Sequence, residues 1–244
     1  MDKEDKKYTY EDFLDIIRVL RSENGCPWDK VQTHESLKPC MTEEAAELLA
    51  SIRIYEKTGN PENMIEELGD VLLQVVMHAQ IASEEGIFTM EDVVNEVSRK
   101  MVRRHPHVFG AANADTPDQV LVNWEEIKKE EKKDKEWAVS PLREIPQELP
   151  ALTRAAKVLK KADKYYGGGS SYEQDVEALQ EAVDELKKCK PEAYDKELEQ
   201  IITDMLMRIS DLARIGKISH EQALADRIED FIEKYEAVDM PDRR

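Results

Sequence analysis

EELGDVLLQVVM, residues 66–77, joins acidic residues directly to an almost continuous apolar run. The run is too apolar for every side of a helix to face water, so at least one face belongs to the core. Glu67 and Asp70 lie one helical turn apart and therefore share a face. Carboxylates that enter a largely buried helix are costly unless they are paired or bind a metal ion. The segment therefore predicts a partly buried helix that carries a binding site near its start.

A second acidic block, Glu43-Glu44-Ala45-Ala46-Glu47, lies on the preceding predicted helix, where Glu44 and Glu47 share a face. Two such faces packed antiparallel would bring hard oxygen ligands together. Mg²⁺ prefers carboxylate oxygens and completes its octahedron with waters and substrate phosphates. Because 36% of the chain is charged, either block alone would be typical of a solvated surface. The apolar run after the second block favours a metal site and phosphate chemistry.

The composition narrows the class of protein. A chain of 244 residues with 41% hydrophobic content can bury the core of one large domain or two small ones. A net charge of -18 argues against nucleic acid as the main partner, because affinity for a phosphate backbone comes mostly from Lys and Arg. A single nucleotide held through Mg²⁺ remains compatible with this charge.

Cysteine usage and hydropathy predict a cytoplasmic protein. Cys26, Cys40 and Cys189 form no Cys-x-x-Cys pair, so we expect free thiols in a reducing compartment. The charged residues 1–7 precede no apolar segment, and no stretch approaches the length of a membrane span. No membrane partner is expected.

Helical periodicity in nearly every segment, with no run of alternating β-branched residues, predicts an all-α fold. Helices are expected at 10–21, 37–57 and 61–86. A fourth is expected to begin at 89 and to end within 103–107, and a fifth to begin at 116 and to continue beyond Trp124. Further helices are expected at 151–164, 173–188, 192–215 and 219–238. Prolines at 141, 146 and 150 mark a boundary. We therefore expect a helical domain at 1–135, a proline-containing linker at 136–150 and a second helical domain at 151–244.

The second half resembles the first. Residues 181–185, EAVDE, match the block at 43–47, and residues 201–204, IITD, match ELGD at 67–70. Ala182 and Ile201 stand where the first half has carboxylates. The second half is therefore expected to bind metal weakly or not at all, and to act as a structural repeat beside one working site.

Four ordered motifs resemble the MazG family of nucleoside triphosphate pyrophosphohydrolases: NGCPWDK at 24–30, EEAAE at 43–47, EELGD at 66–70 and RRHPHVF at 103–109. The second half is similar to the family's second repeat but has diverged further. The resemblance implies an all-α fold whose helices form a homodimer, with Mg²⁺ as cofactor and Mn²⁺ as a substitute. It also implies hydrolysis of a nucleoside triphosphate to a monophosphate and diphosphate, in clean-up of the nucleotide pool.

By the family pattern, the metal-holding set is Glu44, Glu47, Glu67 and Asp70, with Glu43 beside them. This agrees with the positions that helical geometry brings together. Metal ions would neutralise phosphate oxygens and activate a water that attacks the α-phosphorus. Spacing does not assign the carboxylate that accepts the proton.

The family pattern also implies substrate-binding residues. Lys100 and Arg104 share a helix face. Basic residues are also common at the end of an ordinary helix, where they interact favourably with its dipole. The family resemblance favours contacts with the phosphates of the substrate. Trp124 and Lys128 match the family's Trp and Lys near the substrate, with the indole stacking on the base, although a lone helical Trp is usually core. Trp28 either closes over the nucleoside or anchors its loop.

His105 and His107 are expected to pack or form hydrogen bonds at a helix end, because two His without nearby Cys make a poor zinc site. Two other functions stay open. One keeps the same chemistry but restricts it to one base, such as a pyrimidine deoxynucleotide. The other is a nucleotide-sensing or scaffolding protein without turnover.

Overall fold

A computed structural model describes residues 6–131, 140–189 and 196–236. All regular secondary structure in these ranges is helical, which confirms the predicted all-α fold. The chain divides into two compact units, a first unit at residues 1–130 and a second unit at residues 131–244. None of the helices in the described ranges is both long and apolar enough to cross a lipid bilayer.

The described part of the first unit consists of α-helices and one 3-10 turn. They are α1 (Tyr10–Arg21), the 3-10 turn (Asp29–Val31), α2 (Lys38–Thr58), α3 (Glu62–Glu84), α4 (Met90–Arg104), α5 (Pro106–Phe109) and α6 (Pro117–Glu130). The 3-10 turn and α5 were not predicted, because neither is long enough to show a periodic pattern.

Local signals set the ends of these helices. Thr9 and Thr89 cap α1 and α4, each in a capping box with the acidic residue three positions later. Gly59 ends α2 with a φ of 70°, a left-handed conformation that glycine adopts readily. The connection from Gly59 to Pro61 is short, so α2 and α3 become packed antiparallel neighbours.

The core of the first unit lies where α1, α3 and the start of α2 meet. Its buried side chains are Ile17, Leu37, Val76, Met77 and Ile81. The second half of the apolar run is therefore buried, as predicted. The first half of the run is more exposed, and the side chains of Leu68 and Leu72 on α3 reach solvent.

The second unit contains four described helices, α7 (Ala151–Tyr166), α8 (Tyr172–Leu186), α9 (Lys196–Ile215) and α10 (His220–Glu236). α8 packs against α9 as α2 packs against α3, and α7 lies on α9. Part of the proline-containing segment also packs in this unit. Ile145 is buried, and Lys161 on α7 contacts both the Pro141 carbonyl and the Glu144 carboxylate at 2.6 and 2.8 Å.

Candidate metal centre and substrate-binding residues

Three predicted site residues come together between α2 and α3. Carboxylate oxygens of Glu44 on α2 and of Glu67 and Asp70 on α3 all lie within 4.8 Å of one another, and all three residues are half-buried. Within the described residues, no other group of three or more His, Cys, Asp or Glu side chains converges in this way. Oxygen ligands at this spacing suit a hard divalent cation after small side-chain rotations.

Electrostatic repulsion in this cluster favours a cation. Desolvation raises the pKa of Glu44, and the neighbouring charges of Asp70, Glu47, Glu67 and Glu43, in that order, raise it further. Four like charges around a half-buried carboxyl group therefore destabilise its ionised form. A divalent ion between the carboxylates would offset this repulsion, so the donor set fits a metal.

Glu43 and Glu47 occupy a different position from the three convergent residues. Both are exposed on α2, and neither belongs to the group within 4.8 Å.

Glu67 has a partner that sequence reasoning missed, since Asn63 one turn earlier donates a hydrogen bond to its carboxylate at 2.9 Å. This bond restricts the rotamer of Glu67, and its only sequence signal is an amide side chain at the i−4 position.

A second set of predicted residues meets where α6 packs against α4. The Arg104 guanidinium carbon lies 5.1 Å from the centroid of the Trp124 ring, within the range of a cation–π contact. Lys100 is half-buried on α4, one turn before Arg104. Lys128 on α6 lies 3.8 Å from Glu125. The structure thus joins Arg104 to Trp124.

Trp28 lies on the loop between α1 and α2 and is 58% exposed, so it does not anchor that loop to the core. The anchor is Arg21, whose guanidinium is almost fully buried. It donates to the carbonyls of Asp29 and Gln32 at 2.6 and 3.2 Å and to the Glu84 carboxylate at 2.8 Å. The exposed indole is left available for a ligand.

The matching acidic residues of the second unit line a cleft of about 660 Å³ between α8 and α9. Glu181, Glu185 and Asp204 are exposed there and do not form a convergent group. Ile201 is 7% exposed and belongs to the core. The prediction that Ile201 adds core in place of a carboxylate is therefore confirmed.

Most of the first unit matches a known protein family. Residues 32–109, which contain the convergent carboxylates and Arg104, match the MazG nucleotide pyrophosphohydrolase domain. The chain is 41% identical to the nucleoside triphosphate pyrophosphohydrolase/pyrophosphatase MazG of Thermotoga maritima, over 94% of this chain and 85% of that protein.

Two further relatives span most of this chain. The nucleoside triphosphate pyrophosphohydrolase of Escherichia coli strain K12 is 37% identical over 93% of this chain and 85% of its own length. The uncharacterized protein YabN of Bacillus subtilis is 42% identical over 97% of this chain, which covers 48% of that protein. The similarity therefore includes both units.

Proposed function

The chain belongs to the MazG nucleotide pyrophosphohydrolase family, and we propose that it hydrolyses nucleoside triphosphates to nucleoside monophosphates and diphosphate at a Mg²⁺ site in its first unit. The observation that carries this proposal is the convergence of Glu44, Glu67 and Asp70 within 4.8 Å. The biological role would be clean-up of the nucleotide pool in the cytoplasm, without a nucleic-acid or membrane partner.

The carboxylates of Glu44, Glu67 and Asp70 would hold the metal, with Glu47 and Glu43 adding negative charge around it. When bound, Mg²⁺ would neutralise phosphate oxygens and lower the pKa of a water that attacks the α-phosphorus. Mn²⁺ suits the same oxygen donors.

The substrate would be held by cations and aromatic side chains of the first unit. Lys100, Arg104 and Lys128 would contact the triphosphate, and the contact between Arg104 and Trp124 supports placing the indole in the same site. Trp28 is exposed on its loop and would cover the nucleoside.

We propose a homodimer as the working form. Several apolar side chains on α2 and α3 are exposed in a single chain, among them Leu49, Ile52, Leu68 and Leu72 at 38–53%. Apolar patches of this kind mark association surfaces in soluble proteins. Because these residues lie on the two helices that carry the carboxylates, association would also exclude water from the neighbourhood of the site.

Pyrophosphate release tests this function. We would assay eight common ribo- and deoxynucleoside triphosphates with Mg²⁺ for the wild type, Glu44→Ala and the matched second-unit variant Glu185→Ala. We expect release to be lost only in Glu44→Ala. A wild type that binds nucleotides but releases no pyrophosphate would overturn the proposal and favour a sensing protein. Release from a single nucleotide would restrict it to a base-specific enzyme.

A further inference from the structure

His105 contacts Trp124, one of the proposed substrate-binding side chains, although the sequence predicts only a role at a helix end for this histidine. It follows Arg104 directly and caps α4, because Pro106 disfavours a helical conformation at the preceding residue. Its ring is half-buried and lies against Trp124 of α6, with ring centroids 5.1 Å apart and planes at 77°. This is the edge-to-face arrangement that aromatic pairs prefer.

A hydrogen bond holds this imidazole in place. Nδ1 of His105 lies 2.7 Å from the carbonyl oxygen of Met101. A carbonyl only accepts, so Nδ1 carries the proton and donates it. This carbonyl belongs to the last turn of α4, where carbonyl groups lack helical partners. The imidazole is therefore tethered to the helix that carries Arg104 while it packs against the helix that carries Trp124.

The indole in turn contacts the cation. The Arg104 guanidinium carbon lies 5.1 Å from the Trp124 ring centroid. Attraction to the ring quadrupole does not use the N–H donors of the guanidinium. The same group can therefore contact the indole and donate to phosphate oxygens. Contacts from His105 to Trp124 and from Trp124 to Arg104 form a continuous chain.

We propose that His105 is a positioning residue that holds the Trp124 indole against Arg104, so that the three side chains act as one unit on the triphosphate. This inference rests on the proposed function for its ligand. It assigns the Arg104–Trp124 contact to the phosphate end of the substrate, in place of the base stacking that the family resemblance implies for the indole. Disturbing His105 should therefore weaken binding of the triphosphate whatever base it carries.

Binding measurements without turnover test this role. Isothermal titration calorimetry with Mg²⁺ would give the Kd of inorganic tripolyphosphate and of the α,β-methylene analogues of ATP and CTP. We expect His105→Leu to raise all three Kd values by the same factor, about two- to tenfold, as expected from the loss of one aromatic pair. His105→Phe, which keeps a ring, should recover most of the affinity.

A double variant separates positioning from general damage to the fold. His105→Leu should have no further effect on Kd in a Trp124→Leu background, because the proposed action passes through the indole. Replacing the other two tryptophans of the chain, with Trp28→Phe and Trp137→Phe, leaves Trp124 as the source of the indole emission. In this background the emission should shift in His105→Leu but not in the control His34→Leu, whose imidazole stacks on His78. Thermal unfolding checks that each variant is folded.

Several results would overturn the inference. They are unchanged Kd values in His105→Leu, full additivity with Trp124→Leu, weaker nucleotide binding with unaltered tripolyphosphate binding, or no tripolyphosphate binding by the wild type. Retained binding with no pyrophosphate release would instead count against the proposed function alone.

Discussion

The α2–α3 pair of the first unit and the α8–α9 pair of the second place charge differently on similar helices. In the register that matches Asp70 with Asp204, the half-buried Glu67 corresponds to Ile201, which is buried. One substitution turns the wall of a candidate site into core. The helical framework therefore does not require the carboxylates, and their convergence in the first unit points to function.

The second unit places its buried charge elsewhere. Asp175 is 0% exposed. The residue at the matching position of the first unit is Leu37, which is also buried. The Asp175 carboxylate accepts a hydrogen bond at 3.0 Å from Arg208, which also donates to Ser170 at 2.9 Å. In the same register, Arg208 corresponds to Gln74. An ionic pair therefore occupies the positions at which the first unit has an apolar and an amide side chain.

Placing the second unit's residue in the first unit should have the greatest effect on activity. Glu67→Ile should reduce pyrophosphate release about a thousandfold or more, because a metal ligand contributes several kcal/mol of transition-state stabilisation. Steady-state kinetics with saturating Mg²⁺ would measure this loss. As the control, Asp204→Asn should stay close to the wild type. Equal losses in both variants would mean that both units are catalytic.

The next largest effect tests the ionic pair. Arg208→Gln should lower the free energy of unfolding by about 3 kcal/mol, because it removes the cation that is hydrogen-bonded to the buried Asp175 carboxylate. We expect the low end of the range for buried pairs, since Arg208 is 45% exposed. Urea unfolding would measure it.

The matched control rebuilds the first-unit pattern. Adding Asp175→Leu to Arg208→Gln should recover most of the lost free energy, since Leu37 and Gln74 fill these positions in the first unit. A double variant that is less stable than Arg208→Gln would contradict this account.

A smaller effect comes from the repulsion around Glu44. Folding raises the pKa of the Glu44 carboxyl group above its value in the unfolded chain. Its contribution to the free energy of unfolding is therefore fully favourable below the unfolded pKa, and this contribution is lost as pH rises through the folded pKa. At neutral pH without divalent metal, Glu44→Gln should raise Tm by about 2–4 °C.

Mg²⁺ should raise the Tm of the wild type more than that of Glu44→Gln, because a ligand that binds only the folded state stabilises it. Glu185→Gln, the corresponding change in the second unit, should alter neither value. Differential scanning calorimetry with and without Mg²⁺ would decide, and an equal Mg²⁺ response in the wild type and Glu44→Gln would refute the assignment of Glu44 as a ligand.

The smallest effect concerns a histidine pair of the first unit. Nδ1 atoms of His34 and His78 lie 2.8 Å apart in parallel rings, so one donates to the other. Burial and, next, His34 lower the pKa of His78. Its contribution to stability is therefore present above the unfolded pKa of about 6.5 and is lost as pH falls through the folded pKa.

Leu212 stands where His78 does in the second unit. The free energy of unfolding of the wild type should fall between pH 7.5 and pH 5.5. In His78→Leu this fall should be smaller by about 0.5–1 kcal/mol. Urea unfolding at both pH values measures the difference, which does not depend on the absolute stability of the variant. An unchanged pH dependence would contradict the lowered pKa of His78 as the source of this effect.

Short-range features were predictable from the sequence. Helix ends follow from capping residues and glycines, and the shared face of Glu67 and Asp70 follows from the helical repeat, because each depends on residues within one turn. The loss of a ligand at Ile201 could be recognised from the internal repeat. Local chemistry thus defined the helices and proposed the acidic site.

Contacts between helices could not be derived in this way. Which acidic residue of α2 faces α3 depends on how the two helices pack, and Glu44 joins the cluster whereas Glu47 stays exposed. The contacts of His105 and Arg104 with Trp124 likewise require α6 to lie on α4. Helical periodicity specifies a face but not its partner, so distances across helices arise only when the core is packed.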